Sequence, residues 1–111
     1  MKMNLDIAID QKDSVYEVKL TGEIDAYTAP KLKETLVPLT QTKDRIVEVN
    51  LENVNYMDST GLGVFISALK ATREYNSELK LISLQDRVQR LFEITGLDNI
   101  INIDSTVRGG K

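Results

Sequence analysis

The sequence predicts an α/β fold: one mixed β-sheet, opened by an N-terminal hairpin and continued by parallel βαβ units, with helices packed on it. Three observations predict it. Period-2 and period-3.6 hydrophobic patterns follow one another in order along the chain. Two strand-like runs stand side by side at the start with only a polar turn between them. The later strand-like runs are separated by helical patterns, which demands parallel pairing through right-handed crossovers. With 111 residues, 41% of them hydrophobic and 28% charged, the chain suits a single domain spanning residues 1–111 around one core.

Leu5, Ile7 and Ile9 alternate with polar residues, Gln11-Lys12-Asp13 supplies a polar turn, and Tyr16, Val18 and Leu20 alternate again. Gly22 is expected to end the second strand. Thr28, with Pro30 just behind it, opens a helix whose Leu32, Leu36 and Leu39 share a face, and Pro38 marks its end. Ile46-Val47-Glu48-Val49-Asn50-Leu51 is rich in β-branched residues, the pattern of a central strand covered on both faces. Val54, Tyr56 and Met57 lead into Asp58-Ser59-Thr60-Gly61-Leu62-Gly63 and then a helix through Tyr75. Its Leu62, Phe65, Ile66 and Leu69 repeat at three and four, widened by Val64, Ala68 and Ala71, so it must press on the sheet. Leu79, Leu81 and Ile82 form a short strand. Val88, Leu91 and Phe92 mark a third helix, which Gly96 ends in the left-handed conformation. Ile100, Ile101 and Ile103 make the last strand, and residues 105–111 read as a polar, flexible tail.

Composition removes several function classes. The chain has no histidine and no cysteine, so a Ser-His-Asp relay, a thiol nucleophile and imidazole metal ligands are unavailable to it. No P-loop, no Gly-x-Ser-x-Gly elbow and no calcium-loop spacing occurs, so neither an enzyme nor a cofactor is expected. A net charge of -3, with basic residues scattered singly or in pairs, argues against a nucleic-acid surface. The longest apolar run, around Val64, Phe65 and Ile66, falls far short of the roughly 20 residues of a membrane span. With no export signal read at the start, the expected location is the cytoplasm.

Asp58-Ser59-Thr60-Gly61-Leu62-Gly63 puts a hydroxyl where a strand hands over to a helix. Such a serine has three uses: a nucleophile of the protein's own, a helix N-cap, or a residue on which another protein writes a signal. The missing histidine weakens the first. As an N-cap Ser59 would contribute about 1 kcal/mol, with Asp58 one residue earlier favouring the helix dipole. Glycine in a first turn costs up to about 1 kcal/mol relative to alanine. Gly61 and Gly63 therefore need a reason, either close packing on a strand or on Tyr56 and Met57, or close approach by a partner. A phosphate on Ser59 would sit at the positive end of the dipole. It would add about 1.5 to 2 negative charges beside Asp58, and beside Asp25 if topology brings Gly22-Glu23-Ile24-Asp25 to the same strand edge. That would oppose docking without refolding. A phospho-aspartate receiver using Asp58 fits poorly, because Leu20-Thr21-Gly22 stands where such a domain wants paired acids.

Gly22-Glu23-Ile24-Asp25 followed by Ala29-Pro30, then Tyr56-Met57-Asp58-Ser59-Thr60-Gly61-Leu62-Gly63-Val64-Phe65, then Leu91-Phe92-Glu93-Ile94-Thr95-Gly96-Leu97, together resemble the STAS family of anti-sigma factor antagonists, of the general stress signalling type. The resemblance spans nearly the whole chain. It implies the STAS fold and a partner-switching cycle. The unphosphorylated antagonist binds an anti-sigma factor that is also a serine kinase and carries its own bound ATP or ADP, and frees the sigma factor. Phosphorylation of Ser59 ends the binding, and a PP2C-type phosphatase reverses it. Residue by residue, Ser59 matches the phosphoacceptor, Asp25 the nearby acidic residue, and Thr60 the adjacent hydroxyl. Asp58, Gly61, Leu62 and Gly63 match the docking surface at the helix start. For Asp25 a plain turn or cap role remains open. A STAS scaffold module of a stress-sensing complex or a transporter is the alternative within the same fold.

Overall fold

A computed structural model describes residues 4–104; the tail at 105–111 lies outside the described residues. Strands β1 (Leu5–Lys12) and β2 (Val15–Ile24) pair antiparallel from Leu5 opposite Gly22 to Lys12 opposite Val15. Pairing thus runs through Gln11 and Lys12, and the turn is Asp13-Ser14 rather than Gln11-Lys12-Asp13. Asp13 takes a φ of 52°, a left-handed conformation that a short polar side chain tolerates.

Gly22 does not end β2. It bends the strand at φ 128°, and a β-carbon there would lie 1.9 Å from the Asn4 carbonyl oxygen. The bend lets the Glu23 amide donate to that same oxygen at 2.7 Å, and the strand continues to Ile24. A side chain would break this approach.

Helix α1 (Ala29–Thr40) returns the chain to β3 (Ile46–Met57), which pairs parallel with β2. Pro38 does not end α1. It sits exposed in the last turn, and the helix closes at Thr40, where the Gln41 amide donates to the Val37 and Pro38 carbonyls. Leu32 and Leu36 are fully buried, whereas Leu39 is only partly so. The strand β3 is longer than the run Ile46 to Leu51. Between the pairs Val15 with Ile46 and Ile24 with Met57, β3 uses two more residues than β2, at register shifts beside Leu20 and at Gly22. Each extra residue advances the side-chain phase by one. The buried positions therefore step by two through Val47, Val49 and Leu51, then by three to Val54 and Met57. That change of step hides the second half of the strand from a period-2 reading.

Helix α2 (Ser59–Tyr75) leads to β4 (Glu78–Ile82), and α3 (Asp86–Ile94) to β5 (Asn102–Asp104) through a short 3₁₀ turn, Leu97–Asn99, that Gly96 opens at φ 78°. The sheet order is β1-β2-β3-β4-β5, with every pair after the hairpin parallel. When right-handed crossovers always step to the next strand in one direction, every helix falls on the same face. The packing agrees: α1 lies on α2, and Phe65 of α2 meets Phe92 of α3 edge-on with centroids 5.9 Å apart. The central strand is therefore covered on one face only, contrary to the expectation from its apolar run. Val47, Val49 and Leu51 enter the core, while Glu48 and Asn50 point to the open face beside Lys19. The single core gathers Leu20, Ile24, Leu32, Leu36, Phe65 and Phe92, all with no exposed surface.

Gly22→Ala is expected to cost about 3 kcal/mol, from the strained φ and the loss of the hydrogen bond to Asn4. Urea denaturation at neutral pH measures it; a loss below about 1 kcal/mol contradicts the close approach.

Candidate functional site

At the carboxyl edge of the sheet β2 and β3 end together. Ile24 and Met57 are register partners, and the Asp58 amide donates to the Ile24 carbonyl at 3.3 Å. The two turns that follow, one from Asp25 and one from Asp58, therefore leave neighbouring points, as the topology of the sequence suggested. Such an edge is where ligands and partners of α/β sheets gather.

The first turn of α2 is capped by Asp58, not by Ser59. Asp58 is extended (φ -118°, ψ -168°), and its Oδ1 accepts the Thr60 amide at 3.0 Å as well as the Thr60 hydroxyl. These donors favour the charged form. The Thr60 hydroxyl, helped by the Thr60 and Gly61 amides, holds the Asp58 carboxyl below its ordinary value of 3.8, against a smaller opposing effect of partial burial. Ser59 becomes the first helical residue, exposed, and its hydroxyl makes no hydrogen bond among the described residues. The two adjacent hydroxyls thus differ in kind. That of Thr60 is committed to Asp58, and that of Ser59 is unengaged.

The three residues after Thr60 divide between packing and display. A β-carbon on Gly61 would lie 2.7 Å from both Ile24 Cγ2 and Met57 Cγ, so this glycine lets the helix start rest on the two strand ends. Leu62 is 6% exposed and belongs to the core. Both fix the helix start by packing. Gly63 is exposed, with nothing within 4 Å of where its β-carbon would stand. Packing gives no reason for it.

Asp25 closes its own turn. Its Oδ1 accepts the Tyr27 amide at 2.9 Å and the Thr28 amide at 3.1 Å, while its own amide donates to the Thr28 hydroxyl at 2.9 Å. That hydroxyl donates in turn to the Glu23 carbonyl at 2.9 Å. Thr28 therefore serves the turn rather than capping α1. The Asp25 carboxylate makes no hydrogen bond to Ser59 or Asp58. The same locked turn carries Tyr27, which is 92% exposed and which the sequence reading passed over. The Asp-x-x-Thr spacing, a pattern of reciprocal side-chain to backbone bonds, was the available signal. Among the described residues no group of three or more carboxylates converges to hold a metal ion, and no helix is long and apolar enough to cross a membrane.

The chain belongs to the STAS domain family, whose model matches residues 6–110. Within that family it is 50% identical over 102 residues to the anti-sigma-B factor antagonist of Staphylococcus aureus (strain NCTC 8325), covering 92% of this chain and 94% of that protein. Its fold is similar to that of an anti-sigma factor antagonist from Mycobacterium paratuberculosis (TM-score 0.82, 21% identity, 93% of this chain and 87% of the other). It is similar also to the Bacillus cell fate determinant SpoIIAA in its phosphorylated form (TM-score 0.68, 15% identity, 91% and 93%).

Two predictions test this local physics. Asp58→Ala is expected to destabilise the fold by about 1 kcal/mol at neutral pH. Because the carboxyl is held below its unfolded value, its stabilisation is present above pH 3.8 and fades as pH falls through the lowered folded value. The deficit of the variant should therefore shrink in acid, as followed by urea denaturation from pH 7 to pH 3; an undiminished deficit contradicts the cap. In the second, Gly61→Ala is expected to cost about 1 to 3 kcal/mol by overpacking, and Gly63→Ala to gain up to about 1 kcal/mol in helix propensity. Equal effects in thermal melts would contradict the division between the two glycines.

Proposed function

We propose that this chain is a cytoplasmic anti-sigma factor antagonist that works by partner switching. Unphosphorylated, it binds a serine-kinase anti-sigma factor carrying ATP or ADP, and so releases the sigma factor for transcription. Phosphorylation of Ser59 by that kinase ends the binding, and a PP2C-type phosphatase restores it.

The observation that carries this reading is the Ser59 hydroxyl itself: exposed and unengaged at the first position of α2. A serine that served the protein's own chemistry would need a base, and the chain has no histidine. A serine kept only for capping would hold the Gly61 or Leu62 amide; here the cap is Asp58, through the Thr60 amide. An unengaged hydroxyl at an exposed helix start is what a kinase needs in a substrate. Further support is the half of the sequence shared with the Staphylococcus aureus antagonist.

The electrostatics favour an interface switch over a refolding one. A phosphate on Ser59 would bring about 1.5 to 2 negative charges next to the Asp58 carboxylate, which its hydrogen bonds keep charged. A partner that packed on a neutral hydroxyl and on the bare surface of Gly63 would then meet an acidic cluster, and like-charge repulsion with desolvation opposes its return. Within the chain, only exposed atoms change. The fold stays intact, with Asp58 still capping the helix.

The test is binding and phosphate mapping with a purified cognate anti-sigma factor. Kinase and ATP should place phosphate on Ser59 in the wild type and none on Ser59→Ala, which should still bind. Ser59→Asp should bind at least about 10-fold more weakly, about 1.4 kcal/mol, with an unchanged far-UV spectrum. Phosphate found elsewhere by mass spectrometry, or undiminished binding by Ser59→Asp, overturns the proposal.

A further inference from the structure

We propose that Tyr27 is the aromatic anchor of the partner-binding surface, and that Asp25 acts on binding by positioning it. The inference rests on the partner-switching reading above and adds the residues that grip the partner. The occupant is the anti-sigma factor, presenting an apolar slot with a hydrogen-bond acceptor at its end for the phenol.

Exposure comes first. Tyr27 is 92% exposed, against 43% for Tyr56 and 41% for Tyr75, so its ring rests on almost nothing in the folded chain. An aromatic side chain so displayed has most of its apolar surface left to bury on a partner, and buried tyrosines are prominent among the residues that dominate binding energy.

Rigidity comes second. The backbone under Tyr27 is fixed by its own amide to Asp25 Oδ1, by the neighbouring Thr28 amide to the same oxygen, and by the Thr28 hydroxyl bridging the Asp25 amide and the Glu23 carbonyl. A loop left to move would have to be ordered on binding; this one is ordered beforehand, which favours affinity.

Position comes third. The turn leaves Ile24, whose carbonyl accepts the Asp58 amide one residue before Ser59. Tyr27 and Ser59 therefore stand on adjacent turns of one edge, and a partner centred on Ser59 covers both. Ile94, the next most exposed large hydrophobic at 75%, lies at the far end of α3, away from that edge. The Asp25 carboxylate faces its own turn, so its effect on a partner passes through the conformation of Tyr27 and needs an acceptor oxygen rather than a charge.

Calorimetric titration with the purified anti-sigma factor and ADP tests this. Tyr27→Ala should keep the wild-type urea midpoint, since the side chain is exposed, yet weaken binding by about 30-fold. Tyr27→Phe keeps the ring and should stay within about 5-fold. Asp25→Asn preserves an acceptor and should bind nearly as the wild type, whereas Asp25→Ala should bind more weakly. The double variant Asp25→Ala with Tyr27→Ala should lose little beyond Tyr27→Ala alone, a non-additivity that a direct contact of Asp25 would not give. Binding by Tyr27→Ala within about 2-fold of wild type, with Ser59→Asp still weakened, overturns the anchor and leaves the function standing. Additive losses overturn the positioning role of Asp25. Absence of binding by the wild-type chain overturns both this inference and the reading beneath it.

Discussion

The site depends on the contact between the first turn of α2 and the ends of β2 and β3, which Gly61 permits. With no β-carbon on Gly61, the helix settles onto Ile24 and Met57 at a distance that any side chain would prevent. The same contact brings the Asp58 amide to the Ile24 carbonyl, which ties the two turns of the carboxyl edge into one surface. Gly22 performs a comparable service further back, where its bend and the register shift keep β2 and β3 paired to their last residues. Without that late pairing the Asp25 turn and the helix start would separate. Two glycines thus locate every group at the site.

Within that frame, Asp58 and Thr60 assign the roles of two neighbouring hydroxyls. By taking both the amide and the hydroxyl of Thr60, Asp58 stabilises the helix start and engages the Thr60 hydroxyl. Ser59 is left outside the capping network. Because the cap belongs to Asp58 and not to Ser59, the modification proposed for Ser59 need not disturb it. The cap also keeps a negative charge beside Ser59, and under the proposed switch this charge would make an added phosphate more costly to a docked partner.

The one-sided sheet follows from topology. Monotonic strand order with right-handed crossovers leaves one face with no helix to cover it, and the sequence meets this by placing Glu48, Asn50 and Lys19 there. The nearly continuous apolar look of Ile46 to Leu51 suggested two buried faces because Ile46 and the β-branched residues outweigh the two polar ones. Alternation was the better guide. It failed only past Leu51, where the register shifts change the step from two to three.

The sequence by itself determined the element order, the hairpin followed by parallel units, the end of the second helix at Tyr75 and the left-handed Gly96. Each of these rests on local periodicity or on turn chemistry, and such signals are written in consecutive residues. What only the tertiary structure decided depends on chain segments distant in sequence. Gly22 continues its strand because Asn4 meets it from the edge strand, and Gly61 is a packing residue because Ile24 approaches it from the neighbouring strand. Pro38 lies inside the last turn of its helix, and the carboxylate of Asp25 bonds within its own turn and leaves Tyr27 on display. Sequence pattern reports which face a residue prefers, but a residue's neighbour across a sheet edge is fixed only when strands pair. The capping role assigned to Ser59 moved by one position to Asp58 because the exit angle of the chain from β3, set by its pairing with β2, decides where the helix begins.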